Sequence, residues 1–280
     1  MSLAKIDPSQ HSPLGKPTEY QADYAPELLF PIPRQIKRDE LGLNADALPF
    51  VGEDLWNGYE ISWLNPKGKP VVAIGTFRVP FNSANLIESK SFKLYLNSLN
   101  QTTFADLATV AATLERDLSG AAGAPIAVQL TSLNERPEIT VGTPAGILLD
   151  ELDISCTDYQ PTPEVLRATS GPLIEETLFS HLLKSNCLVT GQPDWAMVVI
   201  RYRGQRIDHA GLLQYIVSFR NHNEFHEQCV ERIFCDILKH CQPEALAVHA
   251  RYTRRGGLDI NPFRSTGEYR APGNMREARQ

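Results

Sequence analysis

What this sequence lacks narrows its function before any motif is weighed. It has no run of about 18 consecutive apolar residues, so no membrane-spanning helix is expected. The opening residues, MSLAKIDPSQHSPLGKPTEY, hold no apolar core of the kind that directs secretion. Cysteine is sparse and odd in number: Cys156, Cys187, Cys229, Cys235 and Cys241. A secreted disulfide framework is even and denser, so free thiols in a reducing, cytoplasmic compartment are expected. Cys235 and Cys241 have no second Cys or His pair at finger-like spacing, which argues against structural zinc. Basic excess is absent too. With 27 Lys and Arg against 33 Asp and Glu, the net charge is −6, the wrong sign for a generic nucleic-acid binder. A small anionic ligand needs only a few local cations and stays open. No GxGxxG or Walker pattern occurs, so a nucleotide would not bind in Rossmann or P-loop fashion.

What is present reads as two successive α+β modules after an extended, Pro-rich arm at residues 1–45. Tyr59, Ile61 and Trp63 alternate with polar residues as a half-buried strand does, and Pro70 to Val79 reads as its hairpin partner across Asn65-Pro66-Lys67-Gly68. Thr103 is placed to cap a helix with its stripe at Leu107, Val110, Leu114 and Leu118, stopped by Gly120. Ile126 to Leu130 and Ile147 to Ile154 read as strands. The order then recurs: strands at Leu178 to Leu183 and Ala196 to Tyr202, a helix through Leu212 to Val217, a longer helix from Asn223 ending before Pro243, and strands at Ala245 to Thr253 and Leu258 to Phe263. Two strands, helices and two strands, twice over, predict antiparallel sheets with helices on one face. The modules are set at 46–160 and 173–270, and their relation is one of element order.

Three segments carry chemistry. In Cys187-Leu188-Val189-Thr190-Gly191-Gln192-Pro193-Asp194-Trp195, a cysteine at a strand end precedes a turn and an aspartate. A free thiol is mostly protonated at neutral pH, so a nucleophilic Cys187 needs a base, and Asp194 is placed to serve as one. Spacing alone also fits a small buried residue beside a turn-forming aspartate. Around Asn223-Glu224-Phe225-His226-Glu227, an N-cap and first-turn acids suit a helix start. The same residues would suit a donor-rich ring, with Glu227 accepting two N–H bonds and Phe225 covering the ring. His222 and His226, four apart, could hold a metal, but no third ligand accompanies them, and no metal is expected. Glu88-Ser89-Lys90-Ser91-Phe92-Lys93 is either a solvated face or a set of phosphate donors. The Arg251, Arg254, Arg255 and Arg264 group is the other cationic option.

Taken together, these segments resemble the NADPH-dependent 7-cyano-7-deazaguanine reductases, nitrile reductases of tRNA queuosine biosynthesis. Glu88-Ser89-Lys90-Ser91-Phe92-Lys93 resembles their signature, Cys187 with Asp194 their nucleophile and proton donor, and Phe225-His226-Glu227-Gln228-Cys229 their base-recognition segment. The likeness spans essentially the whole chain and matches the long form, two fused tunnelling-fold modules. It implies reduction of a nitrile to a primary amine through a Cys187 thioimide, with His226 as a second proton donor. It further implies Glu88, Phe225 and Glu227 for substrate, Ser89, Lys90 and Arg255 for NADPH, and a homodimer. The rival reading is a zinc-dependent pterin or purine hydrolase of the same fold, resembling GTP cyclohydrolase.

Overall fold

The computed structural model describes residues 20–135 and 140–280. The chain divides into two units. One comprises Met1–Ile36, Trp56–Pro137 and Arg255–Leu258, the other Lys37–Leu55, Glu138–Arg254 and Asp259–Gln280. Of the arm read at residues 1–45, the first 19 lie outside the described residues. The rest carries strand β1 (Pro31–Pro33), helix α1 (Gln35–Glu40) and two 3-10 turns, with Ile32, Arg34 and Arg38 buried.

In the first unit, strands β2 (Val51–Leu64) and β3 (Pro70–Pro80) form the expected hairpin. Asn65 shapes its turn: Oδ1 accepts from the N–H groups of Lys67 at 2.9 Å and Lys69 at 3.0 Å, and Gly68 takes φ +75°. Alternation buries Ile61, Trp63, Ala73 and Phe77. Gly75 leaves room for them; a Cβ there would sit 2.4 Å from Ile61 Cδ1 and 2.8 Å from the Phe77 ring. Strand β4 (Asn85–Ile87) pairs with β1, and α2 (Ser89–Ser98) and α3 (Leu107–Ala122) follow. Strand β5 (Ala127–Ser132) pairs antiparallel with β3. Two expected limits of α3 shift. Asp106 is the cap, its carboxylate accepting from Thr109 N–H at 2.8 Å, because Thr103 instead bridges to Leu64 on β2. The helix runs through Gly120 and stops at Gly123, which alone of the two takes a left-handed φ of 67°.

The second unit has a sheet in the order β10 (Leu258–Ser265), β9 (Ala245–Tyr252), β8 (Pro193–Gly204), β7 (Ile174–Asn186), β6 (Ile147–Leu148). Its pairs are antiparallel except β6 with β7, and helices α4 (His209–Ser218) and α5 (His226–Cys241) complete it. The strand expected over Ile147 to Ile154 ends after two residues. Asp150 turns there to accept from Ser180 Oγ at 2.6 Å and His181 N–H at 3.0 Å, satisfying the backbone where β7 slips register between Ser180 and Leu183. Under the sheet lies a dry ionic cluster. Arg264, fully buried, donates to Glu231 at 2.8 Å and Asp54 at 2.8 Å, and Arg38 bonds the same Glu231 at 2.7 Å. Arg264 is therefore a structural cation, not a solvated one awaiting phosphate.

Candidate active site

Cys187 sits one residue past β7, at the tip of the β7–β8 hairpin. Its N–H donates to Gln192 O at 2.8 Å and its carbonyl accepts from Gly191 N–H at 3.0 Å. Gly191 takes φ +66°, which lets six residues reverse the chain. Across the ladder Ser185 pairs with Asp194. Side chains two apart on a strand share a face, so Cys187 lies on the face of Ser185 and Asp194. Both carboxylate and thiol are withdrawn from water, at 3% and 8% exposure.

Helix α5 brings the third group. Its first residue, His226, places Nε2 3.2 Å from Asp194 Oδ1. The imidazole lies flat on the Tyr252 ring, centroids 3.9 Å apart and planes 15° apart, and its Nδ1 is buried with no hydrogen-bond partner. A ring so held can present only Nε2 to Asp194, leaving Nδ1 as its second proton site. Strand β7 ties this segment down through Asn186, whose N–H donates to His222 O at 2.8 Å and whose carbonyl accepts from Glu224 N–H at 3.1 Å. The expected cap Asn223 is drawn away: its Oδ1 accepts from Asn186 Nδ2 at 3.1 Å, so the cap position falls to Phe225, which makes no side-chain cap bond. Glu224 is occupied by structure. It takes His222 at 3.0 Å and Arg232 at 2.8 Å; burial pushes its carboxyl up, but those two partners outweigh burial and hold it below the ordinary range. Glu227 is buried in the first turn of α5.

Three of the other four cysteines differ. Burial pushes Cys229 up to about 12, helped by the Glu224 charge, and Cys235 to about 12 and Cys241 to about 11. Thiols so shifted are inert at neutral pH. His222 and His226, the pair a metal would need, turn to different carboxylates, Glu224 and Asp194. Among the described residues no group of three or more His, Cys, Asp or Glu is arranged to hold a metal ion.

The signature segment lies in the other unit. Glu88 is the N-cap of α2, 1% exposed, accepting from Lys90 N–H at 2.7 Å and Ser91 N–H at 2.8 Å. Burial pushes its carboxyl up, and those N–H groups with the Lys93 and Lys90 charges only partly offset it. Ser91 Oγ donates to Glu88 O at 2.7 Å and accepts from Phe30 N–H at 3.0 Å, so the α2 start is rigid. Ser89 and Lys90 stand half-exposed beside that start. Arg255 belongs to the turn Arg255–Leu258, and a Cβ on Gly256 would meet Lys93 at 3.0 Å. Lys93 and Arg255 therefore flank one turn, a donor set that fits phosphate oxygens.

Two residues of note were given no role of their own by sequence reasoning, although Gln228 lies within the recognition segment. Tyr252 reads only as a strand aromatic, since nothing local marks what stacks on it. Gln228 reads as a polar helix residue, yet it is 3% exposed and neither end of its amide has a partner.

Comparison with known proteins shows the family of the chain. Residues 20–130 match the family described as nitrile reductase, 7-cyano-7-deazaguanine-reductase N-term, and residues 193–271 match that described as QueF-like protein. Three curated proteins called NADPH-dependent 7-cyano-7-deazaguanine reductase align nearly end to end. That of Dechloromonas aromatica is 74% identical over 98% of this chain and 97% of its own. Those of Aromatoleum aromaticum and an Azoarcus species are 65% and 60% identical, each over 97% of this chain and 96% of its own. With an α+β fold, antiparallel sheets and this similarity along its length, the chain belongs to the NADPH-dependent 7-cyano-7-deazaguanine reductase family.

Proposed function

We propose that the chain reduces the nitrile of 7-cyano-7-deazaguanine to the primary amine of 7-aminomethyl-7-deazaguanine, through a covalent thioimide on Cys187, as a step of tRNA queuosine biosynthesis. The enzyme class is that of its family, an NADPH-dependent oxidoreductase. The observation that carries the mechanism is the buried Asp194–His226 pair at 3.2 Å, on the sheet face shared with Cys187. Asp194 takes the thiol proton as sulfur attacks the nitrile carbon and returns it to nitrogen, so the thioimide forms without net proton change. NADPH, when bound, supplies the hydride for each of the two reductive stages. After the first, the C–S bond breaks, Cys187 leaves as thiolate and is reprotonated, and an imine remains. His226, backed by Tyr252, protonates the final amine nitrogen. Phe225 and Glu227 hold the ring, Glu227 accepting from its amidine-like edge, and Glu88 assists. Ser89, Lys90 and Arg255 would hold the NADPH phosphates, which the Lys93–Gly256 approach supports. We read the chain as two tunnelling-fold modules, 46–160 and 173–270, acting as a cytoplasmic homodimer. Among the described residues no helix is long and apolar enough to cross a membrane.

The test is direct. Mixing the protein with 7-cyano-7-deazaguanine should give a thioimide absorbance band that Cys187→Ala lacks, and adding NADPH should consume two equivalents per amine formed. Turnover by Cys187→Ala, or a one-to-one stoichiometry, would refute the scheme.

A further inference from the structure

The sheet of the second unit uses its two faces differently. Asp194 shares a face with Ala196, Val198, Ile200 and Tyr202, all buried, and on the neighbouring strand Tyr252 pairs with Ala196 and stacks on His226. Odd-numbered residues of β8 point the other way. There Met197, Val199 and Arg201 pair with Arg251, His249 and Ala247 and floor a cavity of about 410 Å³. Pro144, Ala145, Tyr269, Arg270 and Met275 form its walls and rim. Along β8 the floor runs from Met197, three residues beyond Asp194 and roughly 10 Å away, to Arg201, roughly 23 Å away, at about 3.3 Å per residue. This cavity is thus on the opposite face of the sheet from the Cys187 chemistry.

Its size falls within the range of about 300–1,000 Å³ usual for small-molecule sites, and its lining is mainly apolar with a few convergent polar groups. Phe263 stands edge-on to His249, centroids 6.2 Å apart, and Met197 and Met275 also line the cavity, a setting suited to a flat ring. Arg201, Arg251 and Arg270 line it, with no Asp or Glu among the lining residues. Two of the cations are already oriented: buried Arg251 donates to Gln280 Oε1 at 2.9 Å, and exposed Arg201 rests on the Tyr269 ring at 4.5 Å and is paired with Glu175. Arg270 is exposed at the rim. Burial, then the Arg251 charge, lowers His249 to about 3, so its imidazole is a neutral donor and acceptor inside a positive field.

We infer that this cavity is a second small-molecule site, taking a flat aromatic or heteroaromatic anion whose ring packs on Met197, Val199 and Phe263 and whose carboxylate or phosphate meets Arg270 and Arg201. Calorimetry on the full chain with indole-3-carboxylate, phenyl phosphate and neutral indole-3-carboxamide tests it. At least one anion should bind with Kd below about 1 mM, and the carboxamide at least tenfold more weakly; which anion wins separates organic acids from phosphate esters. Arg270→Gln, on an exposed side chain, should weaken binding by about tenfold, the scale of one lost charge contact, with nitrile reduction unchanged. Ala247→Phe should fill the floor and abolish binding. Absence of anion binding, equal binding of the carboxamide, or unchanged affinity in Arg270→Gln would overturn the proposal, whether or not Ala247→Phe folds.

Discussion

The two units anchor their helices with the same residues and then diverge at one place. In the first, Tyr95, seventh residue of α2, donates to Asp117, eleventh of α3, at 2.7 Å. In the second, Tyr215, seventh of α4, donates to Asp236, eleventh of α5, at 2.5 Å. Ser98 and Ser218, each tenth in its helix, accept from the N–H of Ala25 at 3.1 Å and Thr162 at 3.2 Å, just before the matching turns Pro26–Leu28 and Pro163–Val165. Divergence comes at the start of the longer helix. Asp106 caps α3 in the ordinary way, whereas α5 gives up its side-chain cap and carries His226 and Glu227 in its first turn. The lesson is that the unit bearing the thiol keeps the common scaffold and forgoes a cap worth about 1 kcal/mol, leaving the helix start to serve the pocket.

That contrast can be broken in order of effect. Cys187→Ala should abolish amine formation, at least about 1,000-fold, while leaving the melting temperature nearly unchanged; the corresponding turn of the first unit, altered at Gly68, should leave turnover intact. Removing a fully buried ion partner should cost stability next: Arg264→Ala, which takes a buried cation from Glu231 and Asp54 and leaves Glu231 to Arg38, should cost about 3–5 kcal/mol in urea unfolding. Tyr215→Phe and Tyr95→Phe should each cost about 1–3 kcal/mol, the former more, because Asp117 keeps Tyr24 and Arg116 as donors while burial already pushes the Asp236 carboxyl up. If the two cost the same, the extra donors to Asp117 add nothing to its anchor. The smallest effect is in pH. His249 takes its proton near the ordinary 6.5 when unfolded but only near about 3 when folded. The unfolded chain therefore binds the extra proton first, and stability should fall as pH drops from about 6.5 toward 3. His249→Leu should flatten that slope. Glu224 acts the same way in acid: its lowered carboxyl stabilises above the ordinary carboxylate range and that gain is lost as protonation reaches the folded value.

Much of this was readable from residues alone, and the misses have physical causes. The β2–β3 hairpin was plain because alternation and an Asn-Pro-Lys-Gly turn agree on one register. Helix limits were not, since Thr103 and Asn223 are good caps by type, but Thr103 is held in a bridge beside Leu64 and Asn223 gives its side-chain oxygen to Asn186. Cys187 and Asp194 were legible as a motif, yet their third member could be ranked only by resemblance, since His226 lies 32 positions beyond Asp194 in the chain. Tyr252 and the paired Tyr–Asp anchors gave no signal, because the repeat survives in contacts while the lengths between elements differ.

The inertness of Cys229, Cys235 and Cys241 has a practical corollary. A thiol near 12 is ionised in about one molecule in 100,000 at pH 7, so mild electrophiles and peroxide should pass these three by. Damage or labelling should then fall on half-exposed Cys156 and on Cys187 at the hairpin tip, and mass mapping after a brief iodoacetamide pulse would read the enzyme's working state from the Cys187 peptide against Cys156 as an internal reference.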